Sequence, residues 1–93
     1  MPYIKKKDRE KFQPIIMAFQ HAMRQTDGIS EGELNYIITQ LCIYYGRWGK
    51  KSYSRLNATL GVLDAVAREY YRREVTLYEN EKCKLNGDCF CKS

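Results

Sequence analysis

No stretch of the 93-residue chain approaches the ~18 consecutive apolar residues that cross a bilayer. The opening MPYIKKKDREKF has cations but no apolar run behind them, as a secretory signal requires. The expectation is a soluble, cytoplasmic protein without membrane contact. Histidine is nearly absent. His21 stands alone, without serine or cysteine in motif context, and no carboxylate pair sits at a suggestive spacing. A phosphate-cradling G-x-x-x-x-G-K-[ST] loop is missing as well, since YYGRWGKK lacks both the spacing and a preceding strand. No catalytic residue is nominated, and the chain reads as not an enzyme and without a cofactor. Cys83, Cys89 and Cys91 follow C-x5-C-x-C, which matches none of the paired-thiolate zinc knuckles even with His21 as a fourth ligand. No metal site is assigned.

A chain this short makes one domain, residues 1–93, with a basic arm at 1–7 and a loose tail at 83–93. Its high surface-to-volume ratio makes a single core marginal alone, and oligomerisation is a common remedy. The formal net charge is +5, which favours anionic partners and is also ordinary for solubility. Proline and glycine are few, and Gly28, Gly46 and Gly49 mark the corners. Before the first corner, Phe12, Ile15, Ile16, Phe19 and Met23 lie on one helical face, with Asp8 as N-cap. Pro14 forces that helix either to begin near Lys11, so that the ring sits in the first turn, or to kink. Thr26-Asp27-Gly28 ends it. Ser30 and Glu33, three apart, then signal a capping box. Leu34, Ile37, Ile38, Leu41 and Tyr45 form the face of a second helix, which Gly46 and Gly49 stop.

The third helix has only Gly61 as a breaker for almost thirty residues. Its seam is Leu56, Leu60, Leu63, Ala67 and Tyr70, followed by Leu77 beyond the charged Glu74, with Val62 and Val66 as a second line. Such a helix outruns its neighbours, and a second copy in a two-fold interface is the simplest cover. The predicted fold is all-α: three helices, the last long and the site of homo-oligomerisation.

The densest chemistry is IYYGRWGKKSYSR, residues 43–55, where aromatics and cations interleave with no acid. Arg47, Lys50, Lys51 and Arg55 suit phosphates, and Tyr44, Trp48 or Tyr53 suit stacking on a base. Ser52 or Ser54 as the next N-cap would leave free N–H groups for an anion. The plainer alternative buries Tyr45 and Trp48 in a core beneath solvated cations. Asn35, Tyr36, Asn57 and Arg55 suggest either a polar network that specifies packing or a ligand-reading group. Arg68 and Arg72, with Glu69 and Arg73, read as a solvated ion-paired face.

MPYIKK, DREKF, GELNYIIT at 32–39, SRLN at 54–57, Gly61 with Leu63, EYYRR at 69–73, YE at 78–79 and NGD at 86–88 occur in this order. In them the chain resembles a family of small helical proteins of bacteriophages and prophages, of unknown function. The CFCKS ending departs from that pattern, where the tail is shorter. The resemblance implies a compact helical fold and an accessory role in the host cell, and it brings no chemistry of its own. Small phage accessory proteins often counter host defence, by analogy of context.

The favoured expectation is a non-enzymatic binder, a sponge for a cyclic or signalling nucleotide. Its site would comprise Tyr44, Arg47, Trp48, Lys50, Lys51, Tyr53, Arg55 and Asn57, closed by Arg72 and Arg73 from a partner chain. One rival is an inhibitor of a host defence protein with tyrosine anchors. Another is a DNA- or RNA-binding protein that adds Lys5, Lys6 and Lys7 and depends steeply on salt.

Overall fold

Proline, glycine and serine divide the chain much as their chemistry dictates. The computed structural model describes residues 4–87, which are all-α, with no strand among them. By its internal packing the chain divides into two units, Met1–Trp48 and Gly49–Ser93.

In the first unit two 3-10 turns, Lys6–Asp8 and Glu10–Phe12, precede helix α1, Gln13–Gln25. Asp8 is therefore not the N-cap of α1. It lies inside the first turn, its N–H donating to the Lys5 carbonyl at 2.9 Å. Pro14 supplies the reason. An α-helix begun at Arg9 would drive the proline ring against the Glu10 carbonyl four residues back. Three-residue turns avoid that clash, and α1 starts where Pro14 falls in its first turn. The helix ends as Thr26-Asp27-Gly28 turns left-handed, with Asp27 at φ 54° and Gly28 at φ 97°. Gly28 N–H then closes on the Met23 carbonyl at 2.7 Å.

Helix α2, Glu31–Gly46, opens with the predicted capping box. Glu33 N–H donates to Ser30 Oγ at 3.1 Å, and Ser30 N–H donates to Glu33 Oε1 at 2.7 Å. That backbone hydrogen bond, followed by the one to the Ser30 side chain, holds the Glu33 carboxyl below its ordinary range. At the far end Arg47 N–H caps the Ile43 carbonyl at 3.1 Å. Helices α1 and α2 do not pack on each other among the described residues. Ile15 and Leu41 remain 58% and 57% exposed, while Phe19 and Ile37 are half-buried.

The second unit is one continuous rod. Helix α3, Tyr53–Tyr70, passes into a π turn, Tyr71–Val75, and on into helix α4, Thr76–Asn86. Ser52 caps α3, accepting from Arg55 N–H at 3.1 Å, and Ser54 lies inside the helix. Gly61 is carried through without a break; a Cβ added there would meet open space. The rod is 34 residues long, about 51 Å at ~1.5 Å per residue. It runs to Asn86, three residues past the start of the predicted tail, and Gly87 at φ 85° ends it. Cys89 and Cys91 lie outside the described residues.

The π turn corrects the predicted seam. Its wider turn takes up one extra residue, so everything after it is rotated by about 100° relative to an unbroken α-helix. In the observed register Val75 and Tyr78 continue the line of Leu56, Leu60, Leu63, Ala67 and Tyr70. Glu74 and Leu77 leave it. Val75 and Thr76 are half-buried.

Ser30→Ala is expected to cost about 1 kcal/mol in denaturant unfolding. Because the Glu33 pKa is lowered on folding, its contribution is full above the unfolded carboxylate value. It fades as pH falls through the folded one. Glu33→Gln should remove that acid-range component from the helicity of α2 followed by circular dichroism. An unchanged acid profile would count against the box.

Candidate functional site

The rings of the opening aromatic-basic stretch are on the surface. Tyr44 occupies the last turn of α2 and is 69% exposed, and Trp48 just beyond the cap is 61% exposed. Four residues apart along a helical path, their rings meet with centroids 5.6 Å apart and planes tilted by 41°, within the favourable range for an aromatic pair. Tyr45, beside them, is 44% exposed. Tyr45 and Trp48 are thus open within this unit, as nearly every described side chain is. Arg47 caps α2 through its backbone, and its side chain is exposed between the two rings in sequence.

The second unit carries the remaining nominees. Lys50 and Lys51 are exposed in the segment that leads to the Ser52 cap, Tyr53 starts α3, and Arg55 is half-buried in its first turn. Asn57 is exposed one turn on. Asn35 and Tyr36, in the first unit, are exposed as well, and Thr39 Oγ1 donates to Asn35 Oδ1 at 3.3 Å along α2. Asn35, Tyr36 and Asn57 are therefore surface residues within their own units.

Arg72 and Arg73 belong to the π turn. Arg72 forks onto Glu69, Nη2 at 2.7 Å and Nε at 2.9 Å from Oε1. Arg68 pairs with Asp64 at 2.9 Å. Both are pairs along the helix surface, where such contacts contribute a few tenths of a kcal/mol. Sequence reasoning missed Tyr71. Its hydroxyl donates to Glu79 Oε1 at 2.9 Å, spanning the π turn. That hydrogen bond and the charge of Glu79 push the Tyr71 pKa up. An i to i+8 contact is not a regular helical neighbour, so spacing gave no signal for it. Among the described residues no cluster of His, Cys, Asp or Glu is arranged to hold a metal ion, and no helix is long and apolar enough to cross a membrane.

A family model described as a domain of unknown function, DUF6899, matches residues 1–89. The chain belongs to this family. No curated protein and no solved structure matches it.

The Tyr71 to Glu79 contact holds while the phenol keeps its proton. It is fully present below the ordinary tyrosine range and is lost as pH rises through the raised folded value. A carbon-13 NMR titration of the tyrosine ring carbons, with Tyr71→Phe for assignment, should show one phenol ionising late. Glu79→Gln should return it towards its neighbours. A Tyr71 signal that ignores that substitution would disprove the contact.

Proposed function

We propose that the chain is a non-enzymatic binding protein for a phosphate-bearing nucleotide, with the exposed Tyr44 and Trp48 pair as the stacking surface for a base. That pair carries the reading. Two rings held together at a helix end, with more than half of each open, form a platform of the kind on which bases stack. Cations follow it closely along the chain. Arg47, Lys50, Lys51 and Arg55 fall within eleven residues of Tyr44, with no acid between, and they supply charge for phosphates. Arg72 is engaged by Glu69, so the reading rests on residues 44–57 and does not need it.

Resemblance to phage and prophage proteins gives this chemistry a setting. A small abundant protein that holds a cyclic or signalling nucleotide acts by mass action, lowering the free signal that a host defence enzyme makes, and needs no turnover.

The test is native mass spectrometry of the protein, taken directly from expressing cells and after addition of linear and cyclic nucleotides. A discrete, stoichiometric mass shift is expected. Trp48→Ala should weaken it roughly 5- to 150-fold, the equivalent of ~1–3 kcal/mol for one stacked base. Arg55→Ala should abolish binding to a compact site yet only dilute binding to long DNA or RNA. A protein that ignores the whole panel overturns the reading and directs the search to protein partners.

A further inference from the structure

Nothing in the backbone chemistry of Tyr71–Val75 calls for a π turn. The five residues, YRREV, contain neither proline nor glycine, the usual causes of a departure from α-helix. A π turn is rare and less favourable than the α-helix on either side of it, so another interaction has to offset it. The turn is marked by the Thr76 N–H, which donates to the Tyr71 carbonyl five residues back. In an α-helix the Val75 N–H would take that place.

The Tyr71 side chain supplies the offset. Its hydroxyl donates to Glu79 Oε1 at 2.9 Å, from one side of the turn to the other. In an unbroken α-helix eight residues would separate the two by roughly 12 Å along the axis and about 80° around it. The contact does not form at that angle. With one residue taken up by the π turn, Glu79 stands where the seventh residue of an α-helix would stand. That place is only ~20° off the line of Tyr71 and about 10 Å further along. In the α register it would belong to Tyr78, which offers no carboxylate. The hydrogen bond is therefore specific to the π register.

We propose that the Tyr71 to Glu79 hydrogen bond is a register latch, which holds the rod in the π register and on release lets the turn return to α-helix. Release turns Thr76–Asn86 by about 100° around the rod axis. The inference goes beyond the nucleotide reading and does not depend on it. One rod thereby has two faces to offer. Latched, Val75 and Tyr78 continue the line of Leu63, Ala67 and Tyr70. Released, Glu74 and Leu77 take those places, and a carboxylate enters the line. Tyr71 is 52% exposed, so its hydrogen bond competes with water and favours the π register by a modest factor. Both registers stay within reach of each other, on the microsecond to millisecond scale of helix register shifts.

NMR of the whole chain, without nucleotide, reads the register directly. Couplings across hydrogen bonds identify which amide donates to the carbonyl of residue 71, and in the wild type it should be Thr76. Relaxation dispersion of the amides of residues 72–78 reads the population of the other register. Tyr71→Phe keeps the ring and removes the donor, and should lower the ratio of π to α register about 2- to 12-fold. The Thr76 coupling should weaken as the Val75 coupling grows, with Thr76–Asn86 still helical. Glu79→Ala should have the same effect, and the two changes together should go no further than either alone. A wild type in which Val75 is the donor would overturn the proposal. So would a Tyr71→Phe chain with couplings and dispersion unchanged, or one whose helix melts beyond Tyr70 instead of changing register. Neither substitution touches residues 44–57, so nucleotide binding can fail while the latch holds, and the reverse.

Discussion

Ordering a residue's backbone costs roughly 1–2 kcal/mol, and the described helices return little of that from within their own units. Among the described residues only Gly46 is buried. Solitary helices of 13 to 18 residues are marginal in water even with good sequences. The caps at Ser30 and Ser52 lessen the deficit, but each contributes on the order of 1 kcal/mol. Within their own units the apolar faces remain open, so burial contributes little there, and capping, turn chemistry and helix register carry the local structure.

The π turn shows how closely backbone and seam are matched. A heptad is an imperfect multiple of 3.6, so an apolar line drifts around any long helix. One additional residue in a single turn resets it. Here the reset coincides with the one seam position that the α register would give to a carboxylate. Tyr71 and Glu79 tie the two sides of the turn together, so the glutamate-rich end of the rod is held in phase with the leucine-rich one.

Much of the fold was legible in local chemistry. The capping box at Ser30 and Glu33, the Thr26-Asp27-Gly28 stop and a serine cap at 52 or 54 each follow from a few adjacent residues, and the long last helix follows from the scarcity of breakers in it. What was not legible depends on geometry that no single residue signals. The π turn contains neither glycine nor proline, and the 3-10 turns before α1 follow from a clash that Pro14 imposes several residues upstream. Asp8 has the right chemistry for a cap and the wrong distance from that proline. In the candidate site, the sequence supplied the rings and cations of residues 44–55. It left their exposure undecided, because Tyr and Trp suit both a core and a surface platform.

Exposure by itself separates little in this chain, since Leu60 and Tyr70 are as open as Trp48. Position separates them. Leu60 and Tyr70 recur at heptad spacing along a seam that another helix can cover throughout its length. Tyr44 lies at the edge of the α2 face centred on Leu34, Ile38 and Leu41, and Trp48 stands beyond the helix end. Tyr44 stands off the line that Leu34, Ile38, Leu41 and Tyr45 make along α2. The same holds for the cations that follow, which precede or begin α3 and flank the seam instead of interrupting it. The apolar line of the rod and the aromatic-basic stretch therefore occupy different residues of one short chain.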